Sequence, residues 1–584
     1  MPEKMSIVRN QFRPSRRQFM VGASTLVLPG WLASCSPSAV ADIVMLGGEI
    51  HTVDAANRRV EALAIAGGKV LATGTNKEME RFIGANTRRV DLGGRTVLPG
   101  INDSHLHLLI WGLSQPPFSI DLTYPTVQSI ADVVAAVGQV AATKPAGEWI
   151  VGRGWDQPYF SERRAPTAAD LDAVTPDHPV ALTDFSGHAI WANSRAMAIA
   201  GIGADTVPPA GGVIVRDADG NATGELFEGA GWLLREKIPL PTVAQKTAAI
   251  TAAMQQMLAR GITSATDPRL DPPDIELFNE IAAGSSTQKM RMNGLLGAGV
   301  TAVTLREALD SLQQISLPNP AWMQITGVKI MGDGIPTGNK TAWLNEPYEG
   351  GGNGSLLVHG ETDEERVAEL TAMINMIHAE GLQIGTHATG DRTIDTVVAA
   401  YQAAQKANPR IDPRHYLIHA DMVSEETLAT MAAEGIGANF NPEIKYLIAD
   451  SQVQSIGPLR AAREWPFNSA LAAGVQVASS SDAPVTQGNW LQGLATCVER
   501  KGKQSGEVSG PEQRITLDQA IRTYTATPAW QDHAEDYKGS LEAGKVADLC
   551  VLDERLSAAD PSSFAGIKVA MTLVDGSVVH DAGL

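Results

Sequence analysis

The chain has 584 residues, too many for one ordinary core, so one large domain with attachments is expected. Hydrophobic residues make up 44%, as in packed globular proteins, and a formal net charge of −19 repels phosphate backbones and argues against a nucleic-acid partner. The three cysteines, Cys35, Cys497 and Cys550, exclude a disulfide-built scaffold and a four-cysteine zinc knot.

Residues 1–41 read as an address rather than as structure. Ser15-Arg-Arg-Gln-Phe-Met20 looks like a twin-arginine export motif, with Lys4, Arg9 and Arg13 adding positive charge before it. The apolar run that follows, Phe19 to Ala33, is shorter than the ~20 residues of a membrane-spanning helix and contains Pro29 and Gly30. Two processing signals compete. Leu32-Ala-Ser-Cys35 resembles a lipobox, which would make Cys35 a lipid-bearing terminus, and Ala39-Val-Ala41 resembles an ordinary cleavage site. The reading favoured is a lipoprotein carried by the twin-arginine machinery to the periplasm and tethered there to a membrane.

Residues 42–98 are β-rich, and Ala64 to Gly74 spells a hairpin with a Gly-Gly turn. The C-terminal residues 536–584 repeat that texture, with Val574-Asp-Gly-Ser-Val-Val579 as an Asp-Gly hairpin. Neither end holds enough strands for a stable sheet, so the two are expected to form one small composite β-domain, a sandwich. Cys550 lies in an alternating strand and Cys497 in a helical pattern. Both read as small buried hydrophobes, with a disulfide between them as the alternative.

Residues 99–535 alternate strand and helix, the pattern of a parallel α/β fold. The first strand ends at Asn102-Asp103; the others are Gly261–Asp267, Met290–Leu296, Ile325–Met331, Leu382–His387, His415–His419, Ile436–Phe440 and Val475–Ser481. Eight strands are what a closed (β/α)8 TIM barrel requires. Thr362-Asp-Glu-Glu365 and Thr516-Leu-Asp-Gln519 are capping boxes that open helices. The stretch between the first two strands is too long for a loop, and residues 118–240 are read as an insertion near the barrel mouth.

Polar residues gather at the strand ends, the catalytic face of such a barrel. Asp103-Ser-His-Leu-His107 closes the first strand, and the two-residue spacing puts His105 and His107 on one side, where two imidazoles can grip one ion. His387 ends the fifth strand, His419 the sixth and Asp482 the eighth. Lys329 lies inside the fourth strand. Burial favours its neutral amine, which can take up carbon dioxide as a carbamate with two oxygens for two metals; the alternative is an ion pair with Asp333 or a neighbouring carboxylate.

With these residues in view, the chain resembles the amidohydrolase superfamily, specifically amidohydrolase family 3 and its branch that includes N-substituted formamide deformylase. The segments that carry the resemblance are His105-Leu-His107, Gly152-Arg-Gly-Trp-Asp156, Gly187-His188, Val328-Lys-Ile330, His387-Ala-Thr-Gly-Asp391, His419-Ala420, Ser481-Asp-Ala-Pro484 and Lys538 to Asp548. The resemblance implies two divalent ions, zinc being the first choice. It puts His105, His107 and Asp482 on one, His387 and His419 on the other, and carbamylated Lys329 between them. It also implies that His188 and Trp191 are substrate-side residues, unless His188 is structural. Trp155, Asp156 and Tyr159 either line the pocket or simply pack. One departure is Ser480, where relatives often carry glycine, read as a conservative change.

The expected activity is hydrolysis of a carbon–nitrogen bond, amide-like, in a small molecule. The ions would lower the pKa of a bound water to give hydroxide, and Asp482 would act as general base and acid. The rivals are an esterase or lactonase using the same centre and a non-catalytic ligand-binding lipoprotein.

Overall fold

In the computed structural model eight parallel strands lie side by side: β1 (Ile101–Asp103), β2 (Ile262–Leu270), β3 (Arg291–Gly297), β4 (Met323–Met331), β5 (Gln383–Ala388), β6 (Tyr416–His419), β7 (Gly437–Phe440) and β8 (Val477–Ser479). The residues described are 40–583, apart from 186, 188, 210–211, 228, 285–288 and 338–339. The twin-arginine stretch, Cys35 and His188 therefore lie outside the described residues. Each strand pairs in parallel with the next, and helices such as Pro272–Ala283, Asp391–Ala407 and Glu425–Glu434 form the connections. The expected TIM barrel is present. Its strands are buried on both faces, as parallel sheets between helices are; β5 has no exposed residue along its whole length.

The ladder runs from β1 round to β8, and the seam between those two is bridged by the residues just beyond them. Asp482 N–H donates to His105 O (2.8 Å), His107 N–H to Ala483 O (3.0 Å), and the Ser104 hydroxyl to Ser479 O (2.8 Å). The helix that opens at the capping box of Thr362 spans Asp363–Ala379, with the Thr362 hydroxyl accepting from Glu365 N–H and the Glu365 carboxylate returning to Thr362 N–H.

The barrel floor is polar. Asp532, fully buried, receives Asn102 Nδ2 (2.7 Å) from β1, Thr266 Oγ1 (2.8 Å) from β2, Asn293 Nδ2 (3.1 Å) from β3 and Lys538 Nζ (2.7 Å). Its neighbour Gln531 takes Gln383 Nε2 from β5 on its backbone carbonyl (2.9 Å) and Asn439 Nδ2 from β7 on its side-chain oxygen (3.2 Å). A buried carboxylate is tolerable only with such a partner set. Here the inward layers that barrels usually fill with branched aliphatics are held by directional bonds instead.

Residues 43–99 and 549–581 form two sheets beside the barrel. One contains only strands from residues 43–91. The other joins Glu49–His51, Arg59–Val60 and Thr96–Pro99 to Leu549–Leu552, Val569–Val574 and Ser577–Asp581. Ile50, Leu63, Val97, Leu549, Val551 and Leu573 form the core of this sandwich. Both predicted hairpin turns form, with Gly67 and Gly68 (φ 57° and 76°) in one and Asp575 and Gly576 (φ 51° and 71°) in the other, the left-handed pairs that two-residue turns demand. The turns press together, since a Cβ on Gly68 would stand 2.9 Å from Asp575 O. The Arg291 guanidinium of β3 ties the barrel to the sandwich through Asp548 (2.6 Å) and Asp575 (3.3 Å). Cys497 and Cys550 are buried and both free, so the alternative of a disulfide between them is set aside.

Leu108–Met254 forms a second compact unit. It is wider than 118–240 because the helix Leu108–Leu113 and most of the helix Val243–Ala259 belong to it. Gly112 permits the close approach of those helices, since a Cβ there would meet Ala249 O at 2.3 Å. The unit has its own six-stranded sheet with apolar clusters around Leu182 and Leu226.

Candidate metal centre

β1 stops at Asp103, so His105 and His107 stand in the turn just beyond it. Their Nε2 atoms approach the same oxygen, Asp482 Oδ1, at 3.2 Å and 3.4 Å. The His105 ring lies 5.3 Å from that of His419 at the end of β6, and the His419 ring 4.5 Å from that of His387 on β5. The ligand atoms of His105, His419 and Asp482 all fall within 4.8 Å of one another, and all three residues are buried. His107 is the most open of the set, and its Nδ1 lies 3.9 Å from Asp267 Oδ1 of β2.

Two hydrogen bonds decide which nitrogens are left to bind. His419 Nδ1–H donates to Asn441 Oδ1 (2.6 Å), which leaves the lone pair on Nε2. His387 Nε2–H donates to Gly334 O (3.0 Å), which leaves the lone pair on Nδ1. Burial, followed by the charge of Lys329, pushes His105 down to about 3 and His387 to about 4. Burial and the neighbouring His387 hold His419 well below the ordinary imidazole range. Burial opposes ionisation of Asp482, but its electrostatic coupling and hydrogen bond to His105, with the hydrogen bond of His107 and the nearby His419 behind, outweigh it and hold the carboxyl well below its usual range. Neutral imidazoles grouped around an ionised carboxylate are a ready donor set for a divalent ion. The fit is reinforced by the remaining imidazole nitrogens of His105 and His107, both Nδ1, which are buried and take no hydrogen bond.

Lys329 sits two residues before the end of β4 and is 4% exposed. It is in register with Gly385 of β5, where a Cβ would press on Ile418, Tyr416 and Leu295 within 3.0 Å. Burial brings its ammonium down to about 7, with Asp482 opposing and Arg269 adding to the shift. Asp333 is not its partner. That carboxylate accepts instead from the backbone N–H groups of Trp343 (3.1 Å), Thr389 (3.0 Å) and Gly390 (2.9 Å). It thereby clamps the loop after β4 to the loop after β5 and fixes the carbonyl that orients His387.

Three residues here hold left-handed backbone without being glycine: His419 (φ 71°), Ala420 (φ 48°) and Asp482 (φ 55°). Each such position costs on the order of 1–3 kcal/mol and survives only where its surroundings fix it. Ala420 N–H is bound to Ala388 O (2.9 Å) and Asp482 N–H to His105 O (2.8 Å). Asp103 braces the same corner, accepting from the Ser481 hydroxyl (2.6 Å) and amide (3.1 Å).

The residues expected on the substrate side fall in the second unit. Trp155 and Trp191 are core residues there, buried and edge to face, with indole N–H groups bound to Leu182 O (2.9 Å) and Thr167 O (2.8 Å). Packing, rather than an open pocket wall, describes both. Tyr159 is half exposed and stacked on Tyr124, with centroids 4.1 Å apart. Asp156 precedes the short turn Gln157–Tyr159, and His188 is outside the described residues.

Sequence reasoning missed Asn441, Asp333 and Asp103, whose importance lies in what they hold. It also undervalued Ser480. Its hydroxyl donates to Asn439 Oδ1 (2.6 Å) and accepts from Asn441 Nδ2 (2.9 Å), bonds that a glycine lacks, so the change is not conservative.

Against known proteins, the amidohydrolase family model matches residues 88–580. N-substituted formamide deformylase of Arthrobacter pascens is 28% identical over 549 residues, 92% of this chain and 98% of that protein. Protein LONG AFTER FAR-RED 3 of Arabidopsis thaliana is 29% identical over 531 residues, 89% of each. Among solved structures, an uncharacterized metal-dependent hydrolase from Pyrococcus furiosus superposes with a TM-score of 0.68 at 25% identity, over 89% of this chain and 99% of that one.

Proposed function

The chain belongs to the amidohydrolase family, and on that premise we propose that this metal-dependent hydrolase cleaves a carbon–nitrogen bond of the amide type in a small molecule. The observation that carries the reading is the convergence of His105 and His107 on one oxygen of Asp482, with His419 within ligand reach. His105, His107 and Asp482 would hold one divalent ion and His387 and His419 a second, with Lys329 as a carbamate between them. Zinc suits the mixed imidazole and carboxylate donors. Bound there, such ions supply Lewis acidity towards a carbonyl and lower the pKa of water.

The chain's own residues do the rest. Burial lowers the Lys329 ammonium to about 7, which favours the neutral amine that carbamate formation needs, and its buried strand position shields the product. Asp482, ionised and held at the seam of the barrel, takes a proton from the attacking water and returns it to the leaving nitrogen. A departing amine needs that proton more than a departing alcohol does, so the donor makes amide cleavage possible, and esters are within reach of the same centre. The name of the Arthrobacter pascens relative makes N-substituted formamides the first compounds to assay.

Export by the twin-arginine route, lipid at Cys35 and a periplasmic location are part of the same proposal. They are supported by the motifs and by the environment of Ala41. Its N–H donates to Phe82 O (2.8 Å), its carbonyl accepts from Thr87 Oγ1 (2.6 Å), and its methyl is buried. Cleavage after Ala41 would strip these contacts from the fold, whereas cleavage before Cys35 leaves them intact.

The test combines metal analysis with turnover on a panel of formamides, larger amides and matched esters. Wild type is expected to carry about two ions per chain and to cleave amides. Lys329→Ala should lose metal, and Asp482→Asn should remain folded with turnover lower by roughly 10²–10⁴-fold. Hydrolysis confined to esters would overturn the amide reading, and an active Asp482→Asn would remove Asp482 from the proton transfer.

A further inference from the structure

Asn441 occupies the N-cap position of the helix Pro442–Ile456, yet its side chain makes no capping bond. Asparagine at an N-cap normally accepts from an amide of the first turn. Here that bond is forgone and the amide is directed at His419. Its orientation is set from behind. Asn441 Nδ2 donates to Ser480 Oγ (2.9 Å), so Oδ1 must face the His419 Nδ1–H (2.6 Å). Ser480 in turn donates to Asn439 Oδ1 (2.6 Å). Asn439 Nδ2 is spent on Ser104 Oγ (2.8 Å), Ser104 O (3.1 Å) and Gln531 Oε1 (3.2 Å). Reversing Asn439 would set its oxygen against the Ser104 carbonyl and Gln531 Oε1, both acceptors; with Asn439 fixed, the Ser480 hydroxyl is spent on Asn439 Oδ1 and can only accept from Asn441 Nδ2, so the chain has one direction. Asn439, Asn441, Ser480 and Ser104 are all fully buried, out of reach of bulk solvent, where a lost partner is costly.

We propose that Asn441, locked by Ser480, is a positioning residue that fixes the tautomer and aim of the His419 imidazole. The end of β7 thereby enters the metal centre without supplying a ligand. The inference rests on the reading of His419 as a metal ligand. A ligating histidine is fixed in one tautomer and aim when, as for His419, an acceptor holds its second nitrogen, and removing such a partner typically weakens metal binding by 10–100-fold. The relay also reaches down to the barrel floor through Asn439 and Gln531, so the aim of His419 is referred to the buried polar network there.

The test uses the purified protein and the variants Asn441→Leu, Asn441→Asp and Ser480→Ala. Zinc affinity is read by competition with a chromogenic chelator, the visible bands of the cobalt(II)-loaded protein report ligand geometry, and thermal unfolding of metal-free protein reports the fold. Asn441→Leu is expected to weaken zinc roughly 10–100-fold and to shift the cobalt bands. Asn441→Asp, which keeps an acceptor opposite Nδ1, should recover most of the affinity. Ser480→Ala should fall between them, and it carries the test alone if Asn441→Leu does not fold. Equal affinities in wild type, Asn441→Leu and Ser480→Ala would overturn the positioning role alone. So would equal losses in the Leu and Asp variants that track a lower unfolding temperature. A wild type that takes up neither zinc nor cobalt would overturn the metal reading, and this inference with it.

Discussion

His378 and His415 form a buried pair at the opposite end of β6 from His419. His378 Nε2–H donates to Asn408 O (2.7 Å), so its Nδ1 accepts from His415 Nε2–H (2.8 Å), while His415 Nδ1 accepts the Ile384 amide (3.1 Å). Every ring nitrogen is spoken for in the neutral state, and a proton on either ring would set donor against donor. Burial holds His415 well below the ordinary range and lowers His378, with Arg410 adding to both. Both groups thus bind protons more weakly folded than unfolded. The stability they confer is complete above the unfolded value of about 6.5 and is lost as pH falls below it, at about 1.4 kcal/mol per pH unit for each group that must charge. Urea midpoints should therefore drop between pH 7.5 and 5.5, and less so in His378→Gln; equal slopes would clear the pair. The residue scale is also where the sequence was most and least legible. His105, His107, His387, His419 and Asp482 could be found because each is reactive in itself and stands at a strand end. Asn441 could not, because an Asn-x-Asn run means nothing until Ser480 of a different strand lies behind it.

Among the elements, the floor of the barrel depends on a short segment after the helix Ala526–Gln531. Asp532 and Lys538 form an ion pair at 2.7 Å, with the carboxylate fully buried and the ammonium also bound to Ser264 Oγ. Removing one member strands the other charge. Lys538→Met should destabilise the fold by about 3–5 kcal/mol, whereas Lys538→Met combined with Asp532→Asn should recover a large part of the loss. Denaturant unfolding distinguishes these, and a double variant as weak as the single would show that the ion pair is not the source. The barrel strands themselves were readable, each within three residues at either end, because they are compact apolar runs between helices with clear caps. The polar floor was not, since Asn102, Asn293, Gln383 and Asn439 look like strand-edge residues until one carboxylate and one amide gather them.

At the scale of the whole molecule, residues 43–99 and 549–581 fold into one sandwich, and the hairpin turns announced this in the sequence. The division into two sheets did not show, because the strands of residues 43–99 alternate between them and only pairing reveals which goes where. The second unit's own sheet was hidden for a similar reason, its strands being short and mixed with turns. The described part of the chain is stitched in from Ala41 onward, so a lipid at Cys35 would hang on a short tether. Cys35→Ser should move the protein from the membrane fraction to the soluble periplasm with its activity unchanged. Membrane association that survives the substitution would count against lipidation. One feature of the barrel bears on its working life. The seam between β1 and β8 is bridged by backbone bonds from Asp482 to His105 and from His107 to Ala483, so the residues proposed to grip an ion are also the latch of the barrel. An ion held there would fasten the first strand to the last, so loading the site would also tighten the closure of the cylinder.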